Sequence, residues 1–251
     1  MTLIPGTQVK AVFQTVADGS YPHIYYGKGD SGARIASMNA GNSPDLYVGG
    51  GGINGAFPAI LKPQDWQAYQ NLHVALADNV QKGSVKVQPF DNPDPAQCMT
   101  ICNKPVQGAV DYTGVAFLDA FSDRFCPHGN PVNRAMIYVA PPNGTTPQFS
   151  DPQTFLAAVT QVGLHAVEAT VAHNAALKPG SDMVVEALRL CMYSSSIYRN
   201  SSVSEDDVAL AIFAGIEAGL KADATGLTEI QMPVGHATHY FAAVQKKLTG
   251  N

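Results

Sequence analysis

The chain carries little charge for its length. Of 251 residues, 15 are Lys or Arg and 20 are Asp or Glu, a charged fraction of 14% with a formal net charge of -5. Beside 45% hydrophobic residues, so low a charge density excludes general disorder, because burial of that much apolar surface can offset the entropy of folding. That negative net charge argues against the broad basic footprint that nucleic acid usually needs, so no nucleic-acid partner is expected. Cysteine is scarce. Cys98, Cys102, Cys126 and Cys191 do not require a disulfide framework, which points to a reducing compartment and a cytoplasmic location. No apolar run approaches the ~18 residues of a membrane span, and Met1 to Lys10 lacks a basic segment followed by an apolar one. A soluble chain without a membrane partner is expected; export without a classical signal would escape this argument.

What is present is alternation of short apolar runs and turns, then a regular series of longer elements. Val9 to Val16, Ile24 to Tyr26 and Arg34 to Met38 read as strands, separated by Asp18-Gly19 and by the glycines of 27–32. Phe57, Ile60, Leu61, Trp66, Tyr69, Leu72 and Leu76 recur at helical spacing, and Val85 to Val87 is a short strand. Residues 91–133 keep no period and are dense in Pro, Asn and Gly; they read as an insertion of turns with one short helix at Val115 to Phe121. Ala135 to Ala140 is a buried strand, and Asp151 caps a helix that Pro152 opens and that runs to about Leu177. Met183 to Met192 is a further strand. Ser204 and Asp207 form a capping box before a helix carrying Val208, Ile212, Ile216 and Leu220. Leu227 to Val234 is a strand and His236 to Leu248 a closing helix. This order predicts a single α/β domain over 1–251, its mixed or mostly parallel sheet covered on both faces, with ligands at the carboxyl ends of the strands.

The chemistry concentrates in the segment from Asn39 to Phe57. Four consecutive glycines, Gly49 to Gly52, cost roughly 1 kcal/mol each relative to alanine when ordered, so a compact domain needs a reason to hold them. Close approach of main chain to a ligand is one, because successive N–H groups can face an anion while the following helix N-terminus adds partial positive charge. A phosphate suits such a cradle. A glycine loop with no ligand is the plain alternative. Asn39 and Asn42, just past the strand, offer donor and acceptor together to a sugar hydroxyl, or else fold onto their own backbone as Asx turns.

Asn39-Ala40-Gly41-Asn42 and Gly50-Gly51-Gly52-Ile53-Asn54-Gly55-Ala56 resemble the N-A-A-N strand end and the G-G-G-V-x-G-A loop of the macro-domain family. Ser194-Ser195-Ser196-Ile197-Tyr198-Arg199 resembles that family's second phosphate loop, S-x-G-[IV]-[FY]-G, with Ser196 and Arg199 in place of its glycines. Ala135 to Pro141 looks like the family's V-I-H-x-V-G-P strand. The likeness covers the chain apart from 91–133 and the first twenty residues. It implies a three-layer α/β/α fold around a mixed sheet, with ADP-ribose as ligand and no cofactor. Asn42 would contact the distal ribose, Gly50, Gly51, Gly52, Ile53, Ser195, Ser196, Ile197 and Tyr198 would wrap the diphosphate, Tyr198 would also pack on the ribose, and Ser194 counts with them as a ligand-binding residue. Asp30 corresponds to the adenine-binding Asp, at two residues fewer from Asn39 than usual; a turn Asp in a GDSG loop explains it equally.

Members of the family either remove ADP-ribose from proteins or only recognise it. In one hydrolase type the position of Asn54 holds an Asp that helps activate water, and Asn cannot act as a carboxylate base; Pro58 stands where a His often follows. Viral-type members dispense with that Asp and rely on the residue matching Asn42, so Asn42 and Asn54 are the candidate catalytic groups and a non-catalytic reader is the alternative. A fold kept only for protein contact is a third. Cys98-x3-Cys102 with Cys126-Pro127-His128 has thiolates and an imidazole suited to zinc but an awkward spacing; buried thiols in a loop-rich segment are the simpler account, and no metal is expected. His165, His173, His236 and His239 lack an acidic partner at fixed spacing. Ser194 to Ser196 lack the G-x-S-x-G elbow of a nucleophile, and Glu205-Asp206-Asp207 is a helix-start cap.

Overall fold

The structure is a computed structural model that describes residues 2–15, 33–44, 46, 49, 52–56, 98–102, 106, 108–120, 133–181, 183–235 and 241–250. Eight strands form one sheet: β1 (Thr2–Leu3), β2 (Lys10–Thr15), β3 (Ile35–Ala40), β4 (Cys98–Cys102), β5 (Ala116–Ala120), β6 (Asn133–Val139), β7 (Ala187–Arg189) and β8 (Glu229–Val234). Their order is β1-β2-β8-β7-β3-β6-β5-β4. The five inner strands from β2 to β6 run parallel, and the edges are antiparallel: β1 on β2, then β5 on β6 and β4 on β5. This is the α/β class with a mixed sheet that the sequence predicts.

Four helices are described: α1 (Gly52–Ala56), α2 (Pro152–Ala176), α3 (Glu205–Ala222) and α4 (Ala242–Thr249). Their starts follow local chemistry. The Asp151 side chain accepts from Thr154 N–H at 2.8 Å, and Ser204 and Asp207 exchange the two bonds of a capping box. By length and composition α2 could cross a membrane; here Phe155, Val159, Val162 and Val167 are buried in the core. Glycine lets α2 and α3 meet backbone to backbone. A Cβ on Gly163 would come within 2.6 Å of the Ile212 carbonyl oxygen, and one on Gly215 would strike that of Thr160. The buried strands are apolar as fully covered strands should be: Ala135 to Val139 and Leu188 are all inaccessible.

The structure corrects several boundaries. Ala116–Ala120, expected as a short helix, is strand β5, and Cys98–Cys102, expected as turns, is strand β4; both extend the sheet. Their regular structure comes from pairing, β5 with β6 and β4 with β5, so no local period announces it. Within Met183 to Met192 only Ala187–Arg189 forms regular strand. β3 runs past Met38 and takes in Asn39 and Ala40. The expected strands at 24–26 and 85–87, and the helix beyond Ala56, lie outside the described residues.

Candidate functional site at the carboxyl edge of the sheet

β3 sits between β7 and β6, and the chain leaves β3 toward the β6 side but leaves β7 toward β8. Connections diverge there, which opens a crevice at the carboxyl ends where open α/β sheets take ligands. Three exits converge on it: 41–46 after β3, 140–150 after β6, and 190–200 after β7. Backbone bonds lock them together. Gly41 N–H donates to Val139 O at 2.9 Å and Gly144 N–H to Tyr198 O at 2.8 Å, while Ser194 Oγ donates to Pro142 O at 2.6 Å and Ser43 Oγ to Pro141 O at 2.9 Å.

Asn39 is a strand residue with no exposed surface. Its amide donates to Asn54 Oδ1 at 2.9 Å, so neither an Asx turn nor an open contact to a sugar describes it. Asn39 Oδ1 has no partner among the described residues. Asn54 is itself 6% exposed, and its position on α1 ties the glycine loop's far end to the sheet. Gly52 opens α1 in the left-handed region at φ 63, and Gly49 has φ 128; these are conformations that side-chain-bearing residues avoid. Ile53 is buried beside them. Asp30, Gly50 and Gly51 lie outside the described residues.

Asn42 is held by Tyr138, whose hydroxyl accepts from Asn42 N–H at 2.7 Å and donates to Asn42 O at 3.2 Å. Tyr138 escaped the sequence reading, which saw only one apolar position in a buried strand. The signal was the Gly in Asn39-Ala40-Gly41-Asn42, since a Cβ at residue 41 would fall inside the Tyr138 ring. On the opposite wall Ser194 adopts a left-handed φ of 55, uncommon for a residue with a side chain. Ser194 and Ser195 are buried, Ser196 is exposed, Ile197 is 78% exposed and Tyr198 half-buried. Arg199, in place of the second glycine, meets Glu205 at 3.4 Å.

The other candidates are structural where they are described. Cys98 and Cys102 end one strand, about 13 Å apart, too far for both to bind one zinc ion; Cys126 and His128 lie outside the described residues. Among the described residues no His, Cys, Asp or Glu group could hold a metal. His165 Nδ1 lies 2.6 Å from Gly114 O, and His173 Nε2 3.1 Å from Met183 O. His236 and His239 lie outside. Cys191 is buried at the β7 exit, and burial pushes its thiol up to about 12, so it is inert as a nucleophile.

No family model matches the chain. The Trypanosoma brucei macrodomain superposes with a TM-score of 0.54 at 11% identity, over 98% of this chain and 71% of that one. A point variant of the Oceanobacillus iheyensis macrodomain gives 0.52 at 14% identity over 88% and 83%, and a second variant, solved with ADPR, gives 0.50 at 16% over 88% and 89%. The chain has the macro-domain fold. In sequence, it is 30% identical over 204 residues to the DNA/RNA-binding protein ALBA4 of Plasmodium falciparum (isolate 3D7) and 28% to that of Plasmodium yoelii yoelii, over 74% of this chain and 54% of each relative. The chain thus spans about half the length of the curated relatives it matches.

Those relatives correct one expectation. The exclusion of a nucleic-acid partner, drawn from the net charge of -5, does not stand beside relatives that are named DNA/RNA-binding proteins. Net charge was the wrong measure. Nucleic acid is held by a few local contacts to phosphates and bases, and acidic residues elsewhere on a macro-domain fold can outnumber those contacts without cancelling them.

Proposed function

We propose that the crevice at the carboxyl ends of β7, β3 and β6 binds ADP-ribose, and that the chain recognises mono-ADP-ribose on proteins. The observation that carries this is the convergence of the Asn42 loop, the Asn54 helix and the Ser194 to Tyr198 turn on one topological switch point. Each has a physical part. Gly49 to Gly52 permits close main-chain approach to a diphosphate, Tyr138 fixes the backbone from which Asn42 offers its amide to a ribose, and the 194–198 turn closes the other side. A macrodomain of the same fold solved with ADPR supports the same ligand.

Recognition fits the residues better than removal. Asn54 stands where one hydrolase type carries a carboxylate, and its side-chain oxygen accepts from Asn39. Calorimetry with free ADP-ribose, beside incubation with a mono-ADP-ribosylated protein, tests both parts. Binding without release over hours is expected; release would make the chain a hydrolase that works through Asn42 and oriented water. Gly51→Glu should abolish binding, since a carboxylate would occupy and repel the phosphate position, and unchanged affinity would reject the pocket. Nucleic-acid binding is a second reading, favoured by the names of the curated relatives. A titration with RNA and DNA at two salt concentrations tests it, because phosphate contacts weaken steeply as salt rises.

A further inference from the structure

The loop that leads into β5 lies at the same edge as the crevice, because β5 runs antiparallel to β6 and so begins where β6 ends. It belongs to 91–133, the segment outside the family likeness. The loop is fixed from several sides. Tyr112 N–H donates to Ser43 O at 3.0 Å, one residue from Asn42, and Gly114 N–H to Ala140 O at 2.8 Å. Val106 N–H donates to Thr113 O at 2.7 Å, and His165 holds the Gly114 carbonyl from α2. At its tip Val110 N–H reaches Gln148 Oε1 at 3.4 Å, while Gln148 Nε2 has no partner among the described residues. Yet the Val110 side chain is 90% exposed.

Rigid backbone and exposed aliphatic tip together describe an interaction element, since ordering such a loop on binding costs little entropy. Ile197, 78% exposed, projects from the other wall, and both walls are bonded to the 141–150 connection, through Gly144 to Tyr198 and through Gln148 to Val110. Charge selects the partner. Among the described residues of 41–46, 106–115, 141–150 and 194–199 the sole cation is Arg199, which meets Glu205, and Asp111 adds a carboxylate. A phosphate backbone would find little to neutralise it there. A polypeptide would find aliphatic contacts at Val110 and Ile197.

We infer that the loop 108–114 is a specificity wall of the site, and that Val110 packs on the polypeptide to which a bound ADP-ribose is joined. This rests on the ADP-ribose reading above. The test measures dissociation constants of the full chain and of Val110→Glu for free ADP-ribose, for a peptide bearing mono-ADP-ribose on serine, and for a short RNA bearing terminal ADP-ribose. Titrations are completed before any ADP-ribose is released. The chain should bind the peptide conjugate at least about tenfold more tightly than free ADP-ribose. Val110→Glu should erase that gain and leave free ADP-ribose affinity and the melting temperature unchanged. Equal affinity of the chain for free and peptide-borne ADP-ribose overturns the proposal, as does an equal loss of both in the variant. A larger gain with the RNA conjugate overturns it in favour of nucleic acid. Failure of the unaltered chain to bind free ADP-ribose rejects the site itself, a distinct result.

Discussion

The ring of Tyr138 occupies the space a side chain at Gly41 would need, and from there its hydroxyl bonds both the N–H and the carbonyl of Asn42. A tyrosine on β6 thereby sets the main chain that carries Asn42. Where the family motif has alanine this chain has glycine, and the exchange is explained by the aromatic ring beneath it. Phe117 stacks on Tyr138 with centroids 4.8 Å apart, so the ring cannot swing away freely.

Gly41→Ala should therefore destabilise the chain by about 1–3 kcal/mol, the usual cost of overpacking, and weaken ADP-ribose binding with it. A thermal melt and a double-mutant cycle with Tyr138→Ala check this. The two substitutions should be non-additive, because removing the ring removes the clash; simple additivity would mean that the two positions do not share that space.

Asn54→Ala leaves the Asn39 amide without its acceptor in a fully buried position, at a cost of about 1–3 kcal/mol. Asn54→Asp keeps an acceptor at the same place but buries a carboxylate there, so it too should destabilise, by about 1–3 kcal/mol. It also supplies the carboxylate that one hydrolase type uses. Release of ADP-ribose from a modified protein should rise in Asn54→Asp relative to the unaltered chain, and an unchanged rate would show that residue 54 does not limit turnover.

Ser194 combines a left-handed backbone with a hydrogen bond from its hydroxyl to Pro142 O. Ser194→Ala keeps the unfavourable conformation and loses the bond, so it should destabilise by about 1 kcal/mol. Ser194→Gly loses the same bond but relieves the conformation, and should be the milder change. Denaturant titration of the pair separates the two effects; an equal loss in both would place the whole contribution in the hydroxyl.

His173 is buried on α2, and that burial lowers its pKa, with the Met183 carbonyl opposing the shift in part. The folded chain thus prefers the neutral imidazole, and the unfolded chain binds a proton more readily. Stability contributed by the neutral ring is present above the ordinary value of 6.5 and is lost as pH falls below it toward the folded pKa. His173→Gln retains a donor toward Met183 O but does not titrate, so its melting temperature should fall less between pH 7 and pH 5. Parallel curves would assign the acid sensitivity to other groups.

Much of this was legible along the chain because it is set by neighbours within a few residues. Asp151 before Pro152 and Ser204 before Asp207 fix where α2 and α3 start, since a capping side chain needs only the N–H groups two or three positions ahead. The Ala135 to Ala140 run fixes a buried strand by composition alone, and the glycines at 49–52 with Asn42 and Ser194 to Tyr198 locate the edge where the crevice lies. Only the tertiary structure decided the rest. β5 exists because β6 offers it hydrogen bonds and β4 because β5 does in turn, and such pairing leaves no period to read. Asn39 could not be told from a turn residue until α1 brought Asn54 to within 2.9 Å. The exchange at residue 41 had no visible cause until β6 placed Tyr138 beside it, because sequence spacing carries capping and burial but not which distant side chain fills which space.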